Sequence, residues 1–226
     1  MRVHTVVSQT SMGVGDAMRE IDAQGLIQHD FILLSGDIVA NMRLKEAVEE
    51  HRFAEFLILS ASPRSFFSSL FLFLLNFPFC HRARRAKDKN VIMTMVVKEA
   101  STSHRIKSIL EPAVMVFDKE TKELLKYDIG SVEEGEKRKH INLDLEILKQ
   151  HPVVQYRNDL LDCEIDICTP EVLALFTENF DYQHMRKHFV KGTLESDILG
   201  KKILTHIISD QYAARVGSLP SYDVIR

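Results

Sequence analysis

Phe31-Ile32-Leu33-Leu34-Ser35-Gly36-Asp37 decides how this chain is read. Four apolar residues, the length of a short strand, stop at a Gly-Asp turn with no polar residue among them. A strand of that kind has to be covered on both faces, as in a sheet enclosed by helices. Upstream, Gly13-Val14-Gly15-Asp16 opens a helix on which Val14, Met18 and Ile21 share one side. The first segment, Val3 to Val7, reads as a further short strand. Downstream, a charged helix begins at Leu44, and Val91-Ile92-Met93-Thr94-Met95-Val96-Val97 is a second unbroken apolar run. Strand, helix, strand, helix, strand is the order that predicts an α/β fold with a doubly wound layer.

The middle of the chain changes character. Ala113 to Phe117 and Leu124 to Tyr127 flank a polar turn at 118–122 and predict an antiparallel hairpin. Val132 to His140 reads as a solvated loop, and Ile141 to Ile147 alternates like a half-buried strand. Leu160 to Cys168 is a strand candidate. Thr169-Pro170-Glu171 then starts a helix, with Thr169 as its cap and Leu173, Phe176 and Phe180 on its buried face. A helical stretch from Met185 is expected to end near Gly192, and Ile203 to Ile208 and Tyr212 to Val216 are the last strand candidates.

Composition sets the bounds. With 226 residues, 45% hydrophobic and 27% charged, the chain can bury a core and is neither disordered nor multispanning. A net charge of −3 gives no reason to expect nucleic acid or an anionic membrane as a partner. Three scattered cysteines read as reduced thiols rather than a disulfide framework.

One segment breaks the average. Residues 53–80 hold eight of the thirteen phenylalanines, and end in Leu70-Phe71-Leu72-Phe73-Leu74-Leu75-Asn76-Phe77-Pro78-Phe79-Cys80. A membrane helix is interrupted by Pro63, Arg64 and Ser68-Ser69, and a core helix lacks the helical period. A translated intron remnant or splice insertion explains more, because Phe, Ser, Leu and Pro are what pyrimidine-rich codons specify. His51-Arg52 recurs as His81-Arg82, and removing 53–82 joins residues 44–52 to Ala83-Arg84-Arg85 as one charged helix.

Candidate chemistry is sparse. Asp37, at the carboxyl end of its strand, can hold Mg²⁺ against a phosphate, or can simply make a local hydrogen bond in a strand-ending turn. Gly13 and Gly15 open a helix whose amides suit an anion, but the third glycine and the phosphate-loop lysine are missing, so Asp16 is expected to act as a cap. Asp162, Glu164 and Asp166 share one face of a strand and are read as solvated. Cys163 and Cys168 lack a second cysteine pair for zinc, and His184 and His188 lack the Glu of a metalloprotease helix. The residues alone present no complete catalytic constellation.

Residues 14–22, 30–39, 88–95, 156–170 and Leu175-Phe176-Thr177-Glu178-Asn179-Phe180-Asp181-Tyr182-Gln183 together resemble the epsilon-subunit family of eukaryotic translation initiation factor 2B. The resemblance covers nearly everything outside 53–82. It implies a three-layer, Rossmann-like nucleotidyltransferase-type mixed sheet over 1–226, N-terminally truncated, without the family's β-helix and C-terminal exchange domains. It also implies a cytoplasmic role in guanine-nucleotide exchange, with the other subunits of factor 2B and translation initiation factor 2 as partners. Neither nucleic acid nor membrane is among them. Asn179 and Phe180 match a pair that engages the substrate factor. Gly13, Gly15 and Asp37 match vestigial nucleotide-site positions, with no cofactor expected. Two alternatives stay open: a nucleotidyltransferase using Asp37 with Mg²⁺, and a membrane-associated protein anchored by Leu70 to Phe79.

Overall fold

The computed structural model describes residues 5–8, 11, 13–52, 90–100, 113–129, 143–196 and 198–225. The proposed insertion at 53–82, the loop at 132–140 and Cys80 lie outside them, as does the start of the first strand candidate. Its described part, residues 5–8, is not a strand.

Helix α1 (Val14–Ala23) forms on the predicted stripe, with Met18 buried and Ile21 packed against the core, while Val14 is exposed. Gly25, at φ 61°, supplies the left-handed residue that turns the chain out of α1, its N–H bonding to Asp22 O at 2.9 Å. Strand β1 (Phe31–Leu34) ends at the Gly36-Asp37 turn. Strand β2 (Ile38–Ala40) and helix α2 (Leu44–Arg52) follow. The central strand β3 (Val91–Glu99) has seven successive buried residues.

Strand β1 is not covered on both faces as its apolar run implied, since Ile32 and Leu34 are exposed, and the strands do not make a parallel, doubly wound sheet. The main sheet has the order β1-β7-β3-β8, with β7 (Leu160–Cys168) antiparallel to both neighbours and only β3 and β8 (Lys202–Ile208) parallel. The mixed sheet is what forms. Apolar faces require cover on both sides but do not specify strand direction, which the chain connections decide. On one side Met93, Met95 and Val97 meet α1, helix α4 (Glu171–Glu178) and the π-helical segment Met185–Val190. On the other, Val96, Ile165 and Ile167 pack on Ala47 of α2 and Ala213 of β9 (Ala213–Arg215). This is the three-layer arrangement.

The hairpin forms as β4 (Ala113–Asp118) and β5 (Leu124–Ile129), antiparallel, with β6 (Val154–Arg157) on the other side of β4. The carboxylate of Asp118 organises its turn, accepting the amides of Glu120 and Thr121 at 2.7 and 2.9 Å.

Four local expectations are corrected. Residues 145–150 are helix α3 (Leu145–Gln150), not strand: Glu146 and Lys149 suit the two ends of the dipole, and no side chain of α3 is buried to reward a sheet face. Thr169 does not cap α4; its hydroxyl is buried, and its carbonyl instead accepts the Val172 amide. Phe180 lies beyond the end of α4 and is 73% exposed. Helix α5 (Lys191–Glu195) runs through Gly192 rather than ending there, and the glycine serves packing instead: a Cβ at that position would stand 2.6 Å from the Tyr182 hydroxyl. Helix α6 (Leu219–Ile225) closes the described chain.

Candidate functional site

The carboxyl end of β1 places Asp37 where an α/β sheet binds ligands, but its oxygens are already committed. The Ser35 hydroxyl donates to Oδ1 at 2.5 Å, and Nε of Arg215, from β9, donates to Oδ2 at 2.8 Å. Partial burial alone would raise this carboxyl, but the Ser35 hydroxyl and the Arg215 guanidinium outweigh it and hold the acid below its ordinary range. The same guanidinium donates to Glu164 Oε1 at 2.5 Å. Glu164 reaches Arg215 because it sits at a bulge. Its φ is 52°, and the β3–β7 register jumps from Val96↔Ile165 to Val97↔Asp162 across it. A divalent cation at Asp37 would have to displace a guanidinium that bridges two carboxylates. The Mg²⁺ of the alternative reading would thus have to compete with Arg215 for the carboxylate that would hold it.

At the amino end of α1 an amide is already taken: that of Gly15 bonds to Gln183 O at 3.1 Å. The glycines are explained by that approach: a Cβ on Gly15 would lie 2.0 Å from Tyr182 O, and one on Gly13 3.3 Å from Gln183 O. Asp16 lies in the first turn of α1, where its charge suits the helix dipole, and its carboxylate pairs with Arg19 at 2.8 Å. Gly13 and Gly15 thus both lie against Gln183, whereas Asp37 bonds to Ser35 and Arg215.

The chain after α4 supplies the other predicted pair. Asn179 Nδ2 donates to Leu175 O at 3.0 Å, so this amide closes the helix rather than facing outward. Phe180 is the member left on the surface, with the Arg19 guanidinium carbon 5.5 Å from its ring centroid.

Beneath these two corners lies a cluster that the alternation in 162–166 misreads. Asp162 and Asp166 do share a face, as their spacing implies, but it is the face covered by the π-helical segment. Arg186, 8% exposed, donates four hydrogen bonds of 2.5 to 2.9 Å to the two carboxylates. The Tyr127 hydroxyl adds a fourth member, donating to Asp162 at 2.9 Å. Burial pushes Asp166 up, whereas Arg186 outweighs burial at Asp162 and holds it down. Both described cysteines are free and buried, and burial raises both thiols far from reactivity. Arg19, Arg186 and Arg215, the residues that occupy every corner of the site, were invisible to motif reasoning. Two acids two turns of pleat apart, followed by an arginine inside a buried helical face, were the available sign.

Among the described residues no helix is long and apolar enough to cross a membrane.

Fold and site together define a mixed-sheet α/β domain in which Asp37 is held by Ser35 and Arg215, and Gly15 by the backbone of Gln183. No family model matches the chain. Translation initiation factor eIF2B subunit epsilon of Schizosaccharomyces pombe is 46% identical over 224 residues, covering 99% of this chain and 28% of that protein. The protein of the same name from Dictyostelium discoideum is 38% identical over 208 residues, 92% of this chain and 24% of that one. Over nearly all of its length the chain is similar in sequence to part of these epsilon subunits, and it spans about a quarter of their length. Among solved structures, the inositol-1-phosphate CTP transferase from T. maritima matches 97% of this chain and 63% of its own at a TM-score of 0.46 and 10% identity. HddC from Yersinia pseudotuberculosis matches 97% and 64% at 0.44 and 12%.

Proposed function

We propose that this chain is an assembly and docking region without catalysis of its own. It belongs to the epsilon subunit of the cytoplasmic exchange factor for translation initiation factor 2, and binds that factor and the other subunits of factor 2B. The observation that carries the reading is the occupation of Asp37 by Arg215. A nucleotidyltransferase needs a carboxylate free for the metal that bridges substrate phosphates, and here that carboxylate neutralises a guanidinium. The Gln183 carbonyl on α1 points the same way, since it faces where a phosphate would have to come.

Asn179 and Phe180 are the proposed contact with the substrate factor, Asn179 by shaping the helix end and Phe180 by direct contact. An aromatic left on the surface suits a protein interface. The experiment is co-purification of the tagged chain with the other factor 2B subunits, together with incubation of the chain with sugar 1-phosphates, NTPs and Mg²⁺. Recovery of the subunits with no pyrophosphate release is expected; measurable pyrophosphate release would overturn the reading.

A further inference from the structure

Phe180 is kept out of a core that has an aromatic cluster within reach. Phe176 and Phe189 stack at 4.8 Å, and Tyr182 meets both edge-on at 6.1 and 5.8 Å. Phe180 does not join them, and the reason is the tight loop that carries it. The Tyr182 amide bonds to Asn179 O at 3.1 Å, Gln183 Nε2 to Phe180 O at 3.1 Å, and the Gly15 amide to Gln183 O. Each of these bonds fixes the loop with the Phe180 side chain outward.

Arg19 completes the arrangement. Its guanidinium donates to Phe176 O at 3.0 Å, to Tyr182 O at 3.4 Å and to Asp16 Oδ1 at 2.8 Å. Its guanidinium carbon then stands over the Phe180 ring, 5.5 Å from the centroid. A guanidinium fixed by three directed bonds cannot follow a moving ring, so it selects the ring positions that stack on it. One face of Phe180 is supported while the rest stays in solvent. The charges next to it in the chain are one-sided: Glu178 and Asp181 are exposed, no basic residue stands between Thr177 and Gln183, and Arg19 pairs with Asp16.

We infer that Arg19 is a positioning residue: it presents Phe180 as the anchor of a docking surface whose partner offers an apolar socket bordered by lysine or arginine side chains. This rests on the docking reading above and names the chemistry of the partner face. A cation already behind the ring makes a second cation over its free face unfavourable. The partner's basic groups therefore belong at the rim, opposite Glu178 and Asp181, and its apolar groups against the ring.

Two measurements separate this inference from the reading beneath it. The chain has no tryptophan, so Phe180→Trp creates a single emitter on the proposed anchor. Arg19→Ala in that background should lower the anisotropy of the indole, with Arg19→Lys in between; unchanged anisotropy removes Arg19 as the positioning group. The second measurement is the affinity for purified translation initiation factor 2. Phe180→Ala should cost about 30-fold or more, as buried aromatic anchors do. Arg19→Ala should cost about 5- to 10-fold alone and nothing further in the Phe180→Ala background, since residues acting through one another are non-additive. Glu178→Gln with Asp181→Asn should flatten the salt dependence. Wild-type binding by Phe180→Ala, or no binding by the wild-type chain, defeats the docking reading itself. A neutral Arg19→Ala beside a damaging Phe180→Ala, or an Arg19→Ala loss that persists without Phe180, defeats only the assignment made here.

Discussion

Replacing Arg186 by methionine keeps much of the side-chain stem and removes the charge that holds the interior of this domain together. Arg186, Asp162 and Asp166 have side chains only 8%, 12% and 3% exposed, and four hydrogen bonds join them. Without the guanidinium two carboxylates face each other out of water. Breaking a buried ion group by deleting one partner costs about 3–5 kcal/mol. That is a large share of the roughly 5–15 kcal/mol that holds a domain together. At a urea slope of about 2 kcal/mol per molar, the midpoint should fall by about 2 M.

The pH dependence gives the explanation a second handle. Burial, then the neighbouring acids, push Asp166 up to about 6 against the guanidinium's opposing pull, from an ordinary 3.8. The folded chain therefore keeps a proton that the unfolded chain releases. The stability this residue contributes is full below its unfolded value and is lost as pH rises through about 6. Without Arg186 both acids hold their protons to higher pH. The penalty of Arg186→Met should thus be markedly larger at pH 7.5 than at pH 5. Adding Asp162→Asn and Asp166→Asn should restore most of the loss, because no charge is then left buried. Urea unfolding followed by far-UV circular dichroism at the two pH values is the assay. A penalty under about 1 kcal/mol at pH 7.5, or one equal at both pH values, would refute the reasoning from burial.

Other outcomes follow from single contacts. Gly15→Ala puts a methyl 2.0 Å from Tyr182 O, and should lower stability by about 2 kcal/mol or more in a thermal melt. Gly36→Ala, with nothing within 4 Å of its Cβ, should stay within about 0.5 kcal/mol. Arg215→Ala should cost less than about 1 kcal/mol, because the pair is more than one-third exposed at the arginine and screened by water. The partners of Asp37 and Asp118 outweigh burial and hold both acids below 3.8, so their stabilisation is present above that value and should be lost as an acid titration passes below it. Deleting 53–82, an apolar and patternless stretch that follows α2, should raise the yield of soluble protein, and equal yields would count against its being an insertion.

The sequence made the two strands β1 and β3 legible because a run of apolar residues has one meaning whatever surrounds it. The stripe of α1 and the hairpin around Asp118 were legible for the same reason: each is set by residues within a few positions. What failed depended on distant partners. The acids of β7 read as solvated until Arg186, twenty residues on, covers them. Ile141 to Ile147 alternates like a strand, but 145–150 is helical, with no side chain of that helix buried to reward a sheet face. Phe180 fits the helical spacing of Leu173 and Phe176, but the helix stops at Glu178 and the Asn179 side chain turns back to the Leu175 carbonyl. The glycines of α1 suggested a ligand, whereas the backbone of Tyr182 and Gln183 is what they admit.

A calorimetric titration of this polypeptide with NTPs in the presence of Mg²⁺ tests the central claim most directly. With Arg215 on Asp37 and Gln183 on α1, no binding heat above dilution is predicted. Tight, magnesium-dependent binding that Asp37→Asn abolishes would contradict it.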